Sequence, residues 1–295
     1  MNDTISRLKK TAEAVEPRLE SLLITPDPRL EKLYEAMRYS ALSGGKRIRP
    51  HLVFEFCRLF GGSDGAALDF ACAIELVHAS SLVHDDMPCM DNDDYRRGKL
   101  TCHKVFGEDI ALLCGDALIT KGYETAAKNA AVPEHFALEG AKLITELAGG
   151  VGMMGGQNVD LLSDGKSIDF DTLIYMHSLK TGALIRASAL LGALAAGIEL
   201  SDERAADAEK YAGGVGLAFQ IIDDILDRIG DEKELGKATH ADEKEHKTTF
   251  LSFMPVSKAR IYASEQTEAA IRSIEKYGGS DHLVEFARAL AERQR

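Results

Sequence analysis

A cluster of carboxylates stands at the end of an apolar run in the segment Leu82 to Asp94, LVHDDMPCMDNDD. A proline follows the Asp85–Asp86 pair and does not fit a helix interior, so the sequence predicts a helix that ends or bulges near Met87. Such a bulge would turn Asp91 back towards Asp85, and the two carboxylates could then share one ion. A solvated helix end gives the same pattern, so the motif alone leaves both interpretations open.

A second acidic segment, GLAFQIIDDILD, begins at Gly216. Asp223 and Asp227 are four positions apart and fall on one face of a helix, with Asp224 beside them. A surface helix could turn Asp223 and Asp227 to water and its apolar residues inward. Taken alone, this motif therefore also has two interpretations.

The two acidic segments together favour a metal site. Each places an Asp pair and a further Asp in or beside an apolar helix, and carboxylates crowded into a cleft repel one another unless a cation holds them. Oxygen ligands suit Mg²⁺, and Mn²⁺ accepts the same set; Mg²⁺ is usually bound by one or two carboxylates together with substrate phosphate oxygens. We therefore predict a divalent cation and a phosphate ester substrate.

Three short basic clusters could bind such a phosphate. They are Gly44 to Pro50 (GGKRIRP), Arg96–Arg97 and Lys180–Thr181–Gly182. Arg offers a two-pronged donor and Lys a point charge, while paired glycines let the backbone approach an anion closely. In a chain with a net charge of -12, these clusters are local anion sites.

The composition limits the class of function. A net charge of -12 argues against a nucleic-acid-binding surface, which needs excess Lys and Arg. The five cysteines are odd in number and form no CxxC pair, which is typical of buried thiols in a reducing compartment. The N-terminal sequence lacks the apolar core of a signal peptide, so we predict a cytoplasmic location.

Apolar residues recur at spacings of three and four, and strand-like alternation is scarce, which predicts an all-α fold. No polar linker divides the chain, so we expect a single domain over residues 1–295. The apolar stretch from Gly182 to Leu200 contains Arg186 and many small residues, which favours a buried helix over a membrane span. The charged segment Gly230 to Lys247 predicts a surface loop.

These motifs resemble those of the trans-isoprenyl diphosphate synthases, the farnesyl and geranylgeranyl diphosphate synthase family, from about Tyr39 to Thr249. GGKRIRP, HDDMPCMDNDDYRRGK, HSLKTGALIR and FQIIDDILD occur in the family's order. The first acidic motif has the two extra residues of bacterial-type farnesyl and plant-type geranylgeranyl enzymes. The resemblance implies a single large helical bundle of the isoprenoid synthase type, with a central active-site cavity, and usually a homodimer.

The resemblance implies a role for each matching residue. The Mg²⁺ ligands, for three ions with substrate bound, would be Asp85, Asp86, Asp91, Asp223, Asp224 and Asp227. The contacts of the allylic diphosphate would be Arg96, Lys180, Thr181, Gln220, Lys237 and Lys247. Isopentenyl diphosphate would contact Lys46, Arg49, His78 and Arg97. The catalytic set would be Asp85, Asp86, Asp91, Lys180 and Asp223.

The implied reaction is ionisation, condensation and elimination. The allylic C–O bond would break, the double bond of isopentenyl diphosphate would attack the carbocation, and the released diphosphate would take the proton. Ser80 and Ser81 lie one helical turn before Asp85, and farnesyl-making relatives often have an aromatic residue at the Ser80 position. We therefore expect a geranylgeranyl product, with farnesyl as the alternative if Met87, Met153, Met154 or Phe56 blocks the pocket.

Two other functions are compatible with acidic motifs of this kind. A terpene cyclase or head-to-head synthase shares the Asp-rich helices but would not be expected to have the GGKRIRP and RRGK segments. A non-catalytic subunit of a heteromeric synthase would be expected to have lost Asp residues. The chain departs from the family in Thr249–Phe250, where a Tyr-Pro is usual, and in its tail, Glu292 to Arg295; both bear on how the C-terminal region closes the site.

Overall fold

The computed structural model of the protein describes residues 2–229 and 247–293, and these ranges are almost entirely helical. The α-helices are α1 (Asn2–Leu22), α2 (Glu31–Ala41), α3 (Ile48–Leu59), α4 (Asp64–Asp85), α5 (Cys102–Phe106), α6 (Glu108–Ala127), α7 (Glu134–Ala148), α8 (Met153–Ser163), α9 (Phe170–Lys180), α10 (Gly182–Ala195), α11 (Glu203–Ile229), α12 (Val256–Ile274) and α13 (Asp281–Ala291). Two short 3-10 helices (Pro28–Leu30 and Phe250–Ser252) and a hairpin of β1 (Tyr95–Arg96) and β2 (Lys99–Leu100) complete the described elements. The predicted all-α fold is confirmed.

Helix α4 runs through the centre of the bundle and ends in the first acidic motif. The Ser63 hydroxyl accepts a hydrogen bond from the backbone N–H of Ala66, and Asp64 complements the positive end of the helix dipole. The helix packs against α6, α3, α10, α1 and α2. Most of its side chains between Ala66 and Val83 are buried, so the end of the helix has a fixed position.

Within the described ranges, α4 is also the one helix that is long and apolar enough to cross a membrane by length and composition. However, 72% of its apolar window is buried inside the protein, as in the core helix of a globular fold. The stretch from Gly182 forms α10, in which every residue except Arg186 is buried. The prediction of a buried bundle helix there is confirmed.

Three apolar clusters make up the core. The first surrounds α4 and includes residues of α1, α2, α6, α7 and α10. The second joins α3, α10 and α11 to α12 and α13, and the third joins α9, α11 and α12. Helix α13 also packs on α1, so the two ends of the described chain meet. This packing supports the single domain over residues 1–295, which stays a prediction.

Helices α3 and α10 cross at backbone contact. A Cβ atom on Gly192 would lie 2.6 Å from the carbonyl oxygen of Val53 and 2.7 Å from the Cβ of Phe56. The crossing fixes the start of α3, which follows the GGKRIRP loop, relative to the start of α10, which follows Lys180. The contact at Gly192 therefore helps to fix the GGKRIRP loop and the Lys180 segment relative to each other.

We expect Gly192→Ala to destabilise the protein by roughly 1–3 kcal/mol, because a methyl group there would push two helix backbones apart. Gly213→Ala in α11 is the matched control, since nothing lies within 4 Å of its added Cβ atom. That change should be neutral or stabilise by up to about 1 kcal/mol through helix propensity. Urea unfolding measures both; equal free energies of unfolding for the two variants would contradict the close crossing.

Candidate active site

A cavity of about 790 Å³ lies between the C-terminal half of α4, helices α8 and α11, the junction of α9 with α10, and the loop before α3. Most of the residues predicted from the motifs line it. They are Lys46, Arg49, His78, Ser80, Ser81, Asp85, Arg97, Lys180, Thr181, Gln220 and Asp223. The structure therefore brings segments that are more than a hundred residues apart in sequence to one cavity.

The first acidic motif turns back on itself at the end of α4. The helix ends at Asp85, and the backbone N–H of Asp91 donates a 2.9 Å hydrogen bond to the carbonyl oxygen of Asp85. A further 2.9 Å bond from Met90 to Met87 closes the turn. The predicted end of the helix near Met87 is confirmed, and the backbone of Asp91 returns to Asp85.

The carboxyl groups of this motif are partly removed from water. Burial raises the pKa of Asp85; Lys180 opposes the rise and Asp91 adds to it. Burial likewise raises the pKa of Asp86 to about 6, against the attraction of Arg96. Desolvated carboxylates that lie close together favour an additional cation, as the sequence motif predicted.

Arg96 faces away from the main cavity. Its Nη2 lies 2.5 Å from Oδ1 of Asp86 and 3.5 Å from Oδ2 of Asp93. Arg96 and Asp86 line a smaller cavity of about 30 Å³ behind the motif. Arg96 would have to leave Asp86 to reach a diphosphate in the main cavity.

The two arginines of the β1–β2 hairpin line different cavities, Arg97 the main one and Arg96 the smaller one. Tyr95 pairs with Leu100 and Arg96 with Lys99. The two turn residues between the strands, Arg97 and Gly98, have positive φ angles of 54° and 75°, as a type I′ turn requires. The Arg97 guanidinium lies against the Gly44–Gly45 backbone and donates to the carbonyl of Gly44. A Cβ atom at Gly45 would lie 2.6 Å from Cζ of Arg97, so glycine permits this contact.

Arg47 holds the GGKRIRP loop to the core. It has a φ angle of 49° and is buried, with Nη1 2.6 Å from Oε1 of Glu75 and Nη2 3.3 Å from Oε1 of Glu16. Its neighbours Lys46 and Arg49 line the cavity. Arg47 also lines part of this cavity, but its guanidinium is already paired with two carboxylates. Glu75, one helical turn before His78, is a cavity residue that the motifs did not identify.

Arg49 and His78 form a desolvated wall of the cavity, and Arg49 supplies its positive charge. Burial lowers the pKa of Arg49 to about 10, although Glu75 favours its charged form. Burial, and next the charge of Arg49, lower the pKa of His78 well below its ordinary value. The Arg49 Nε is buried and has no hydrogen-bond partner within the described ranges. An anion in the cavity would supply the missing acceptor.

The three carboxylates of the second acidic motif have different surroundings. Asp223 lines the cavity, and its Oδ1 lies 2.7 Å from Nη2 of Arg293. Asp224 is 5% exposed and accepts hydrogen bonds from Nε2 of Gln220 at 3.1 Å and from the backbone N–H of Phe250 at 2.9 Å. Asp227 is 6% exposed. A solvated face formed by Asp223 and Asp227 is therefore the wrong interpretation for Asp227, and Asp224 is buried as well.

Several cavity residues were not predicted from the motifs. Gln157 of α8 lines the cavity, and Asp160, one turn after it, contacts the cavity residue Lys180, with its Oδ2 2.5 Å from Nζ. The spacing of three in GGQNVD is the sequence signal that could have found them. Arg293 lies in the tail and belongs to none of the motifs. The Thr181 hydroxyl donates to Oε1 of Gln220 at 3.1 Å.

Not every residue predicted from the motifs lines the cavity. Lys237 lies outside the described residues, and Lys247 is described but does not line the cavity. Ser80 is 1% exposed and lines the cavity together with Ser81. Among the residues that could block the pocket, the cavity is lined by Met153 and Met154 and not by Met87 or Phe56.

The carboxylates of the site fit a cation that arrives with phosphate. In the part of the chain that the structure describes, no group of three or more His, Cys, Asp or Glu side chains is gathered for a metal ion. Each of three carboxylates has instead a cationic partner, in the pairs Asp86–Arg96, Asp160–Lys180 and Asp223–Arg293. Mg²⁺ commonly takes one or two carboxylates and completes its shell with water and phosphate oxygens, which matches this donor set.

Comparison with known proteins agrees with this arrangement. The family model for polyprenyl synthetase matches residues 30–287. A dimethylallyltranstransferase from Fischerella ambigua (strain UTEX 1903) is 45% identical over 269 residues, which cover 90% of this chain and 77% of that protein. The farnesyl diphosphate synthase of Escherichia coli (strain K12) is 43% identical over 262 residues, covering 88% and 87%.

The crystal structure of geranylgeranyl pyrophosphate synthetase from Pyrococcus horikoshii superimposes with a TM-score of 0.89 at 31% identity, covering 99% of each chain. The same fold thus extends over the whole length of a solved relative. Because the family model spans most of the chain and the relatives share well over a third of its sequence, the chain belongs to the polyprenyl synthetase family of trans-prenyltransferases.

Proposed function

We propose that this protein is a short-chain trans-prenyltransferase that condenses isopentenyl diphosphate with dimethylallyl, geranyl or farnesyl diphosphate. The observation that carries the proposal is a single cavity in which Asp85 and Asp223 line one part and Lys46, Arg49 and Arg97 another. Such a cavity offers one site for a metal-bound diphosphate and a second for a diphosphate held by cations. A condensation of two diphosphate substrates needs both.

The allylic diphosphate would occupy the acidic part of the cavity. Mg²⁺, when bound there with Asp85, Asp91 and Asp223, supplies positive charge that offsets the charge growing on the departing diphosphate. Lys180 adds a cation, and the linked side chains of Thr181 and Gln220 offer hydrogen bonds. The other proposed contacts and ligands are Asp86, Arg96, Asp224, Asp227, Lys237 and Lys247, with Mn²⁺ as a substitute for Mg²⁺ and three ions in the substrate complex.

Isopentenyl diphosphate would occupy the cationic part. Arg49 presents a buried donor without a partner within the described ranges, and Arg97 is held beside it by the glycine pair. Lys46 adds a point charge at the exposed edge. His78, with a lowered pKa, would act as a neutral hydrogen-bonding group. Glu75 favours the charged form of both arginines and prevents the pocket from accumulating unbalanced positive charge.

The chemistry follows from this placement. Cleavage of the allylic C–O bond leaves an allylic carbocation, which the double bond of isopentenyl diphosphate attacks to form a C–C bond. Loss of a proton to the released diphosphate restores a double bond. The apolar side chains Met153, Met154 and Leu161 line the same cavity and would keep water from the cation.

Product length depends on the space beside Ser80 and Ser81. Both side chains are small and line the cavity, which supports a geranylgeranyl product, and farnesyl is the alternative product. The acidic motifs and the cationic wall are both intact, so a terpene cyclase or a non-catalytic subunit is not favoured.

A homodimer in the cytoplasm completes the proposal. Leu112 and Leu113 of α6 are 50% and 53% exposed, and a second subunit that covered them would remove this apolar surface from water. Four of the five cysteines are buried free thiols, which supports a reducing compartment, whereas Cys89 is exposed and departs from the prediction of buried thiols.

The function is tested with labelled isopentenyl diphosphate, Mg²⁺ and each allylic primer, with products separated by chain length. We expect Mg²⁺-dependent extension, and we expect Asp85→Asn and Asp223→Asn each to lower kcat by about 10²–10³, because each removes charge that stabilises the leaving diphosphate. Asp164→Asn, at an exposed turn, is the matched control and should leave kcat unchanged. No extension of any primer by the unmodified protein would refute the proposal.

The pocket interpretation is tested by Ser80→Tyr. A phenol ring at this buried position would fill the space next to the first acidic motif, so we expect the main product to shorten from geranylgeranyl to farnesyl diphosphate. Ser178→Tyr, on the exposed face of α9, adds the same group away from the cavity and should leave the product distribution unchanged. An unaltered product from Ser80→Tyr would show that other residues set the length.

A further inference from the structure

Arg293 directs a guanidinium from the chain's tail into the active-site cavity. It follows α13, and its side chain is only 12% exposed. Its Nη2 lies 2.7 Å from Oδ1 of Asp223 and 3.2 Å from the carbonyl oxygen of Phe219, and its Cζ lies 4.0 Å from the centre of the Phe219 ring. A charged pair, a backbone acceptor and a cation–π contact therefore hold one side chain.

The packing of α13 fixes where this side chain can reach. The Tyr211 hydroxyl donates a 2.6 Å hydrogen bond to the carbonyl oxygen of Leu283, and the Phe286 ring lies 4.9 Å from the His51 ring. Leu283 and Phe286 are buried in the second apolar cluster. The last turn of α13 therefore lies close to α11 because the helix packs in the apolar core, independently of the cavity.

The guanidinium is positioned to exchange partners. Its Nε is buried and has no hydrogen-bond partner within the described ranges, so the group has a donor left for another acceptor. Asp223 is 33% exposed and faces the cavity, where a divalent cation would approach it. A cation and a guanidinium that compete for one carboxylate repel each other, so binding of one disfavours the other.

We propose that Arg293 is a positioning residue that occupies Asp223 in the metal-free enzyme, competes with the divalent cation for this carboxylate, and transfers to the substrate diphosphate when metal and substrate bind together. The inference rests on the proposed metal-dependent function. A diphosphate supplies acceptors for the displaced guanidinium, so it relieves the competition. Metal and diphosphate then strengthen each other's binding through Arg293.

The test is Mn²⁺ binding, measured from the electron paramagnetic resonance signal of free Mn²⁺, with and without inorganic diphosphate and without any prenyl transfer. We expect Arg293→Gln to tighten Mn²⁺ binding to the diphosphate-free protein about tenfold, a coupling typical of groups in direct contact. We also expect it to reduce the gain in Mn²⁺ affinity that inorganic diphosphate gives. Arg293→Lys, which keeps the charge, should restore most of the original behaviour.

Two controls isolate the contact. In an Asp223→Asn background, Arg293→Gln should have no further effect, because the shared carboxylate is gone. Arg288→Gln removes an arginine from α13 that pairs with Glu268 on the surface, and it should leave Mn²⁺ affinity unchanged. Thermal melting of each variant checks that the tail change leaves the fold intact.

The outcomes separate the two proposals. An Arg293→Gln variant that binds Mn²⁺ with the unmodified protein's affinity, with and without inorganic diphosphate, would overturn the role of Arg293 while the metal-dependent function stands. Failure of the unmodified protein to bind Mn²⁺ even with inorganic diphosphate would overturn both.

Discussion

The need to balance charge in a partly desolvated cavity governs this structure. Carboxylates and cations removed from water are tolerated only when each has a partner. Asp86 is paired with Arg96, Asp160 with Lys180, and Asp223 with Arg293. Each pair joins two elements, so the same contacts that neutralise the cavity also tie α4 to the hairpin, α8 to the end of α9, and α11 to the tail.

These pairs bear on the proposed binding of a metal diphosphate. Such a ligand carries both signs of charge, so its cation can take the carboxylates while its phosphate oxygens take the released side chains. Each charged side chain would then exchange one partner for another, so no charge would be left unpaired in a desolvated site. Such an exchange needs helices that keep their positions. The backbone crossing of α3 and α10 at Gly192 and the ion pair of Arg47 with Glu75 provide this rigidity.

Features that depend on local sequence were predictable, and those that depend on tertiary packing were not. The turn after Asp85 follows from a proline at a fixed position, and the all-α fold follows from apolar spacing. The burial of Asp224 depends on a hydrogen bond from Phe250, which lies 26 residues along the chain. Arg96 and Arg97 are neighbours in sequence, and only the type I′ turn explains why they face different cavities. Arg293 reaches Asp223 because α13 docks on distant helices, which no local motif encodes.

The bond between Asp224 and Phe250 has a consequence for protein engineering. The bond holds Phe250, which follows residues 230–246 in sequence, against α11, which precedes them. A fluorescent label at the exposed position of Phe253, three residues after this bond, would therefore lie next to the second acidic helix. A signal there that changed with ligand would report on that helix and would leave Lys237, a proposed contact of the allylic diphosphate, unaltered.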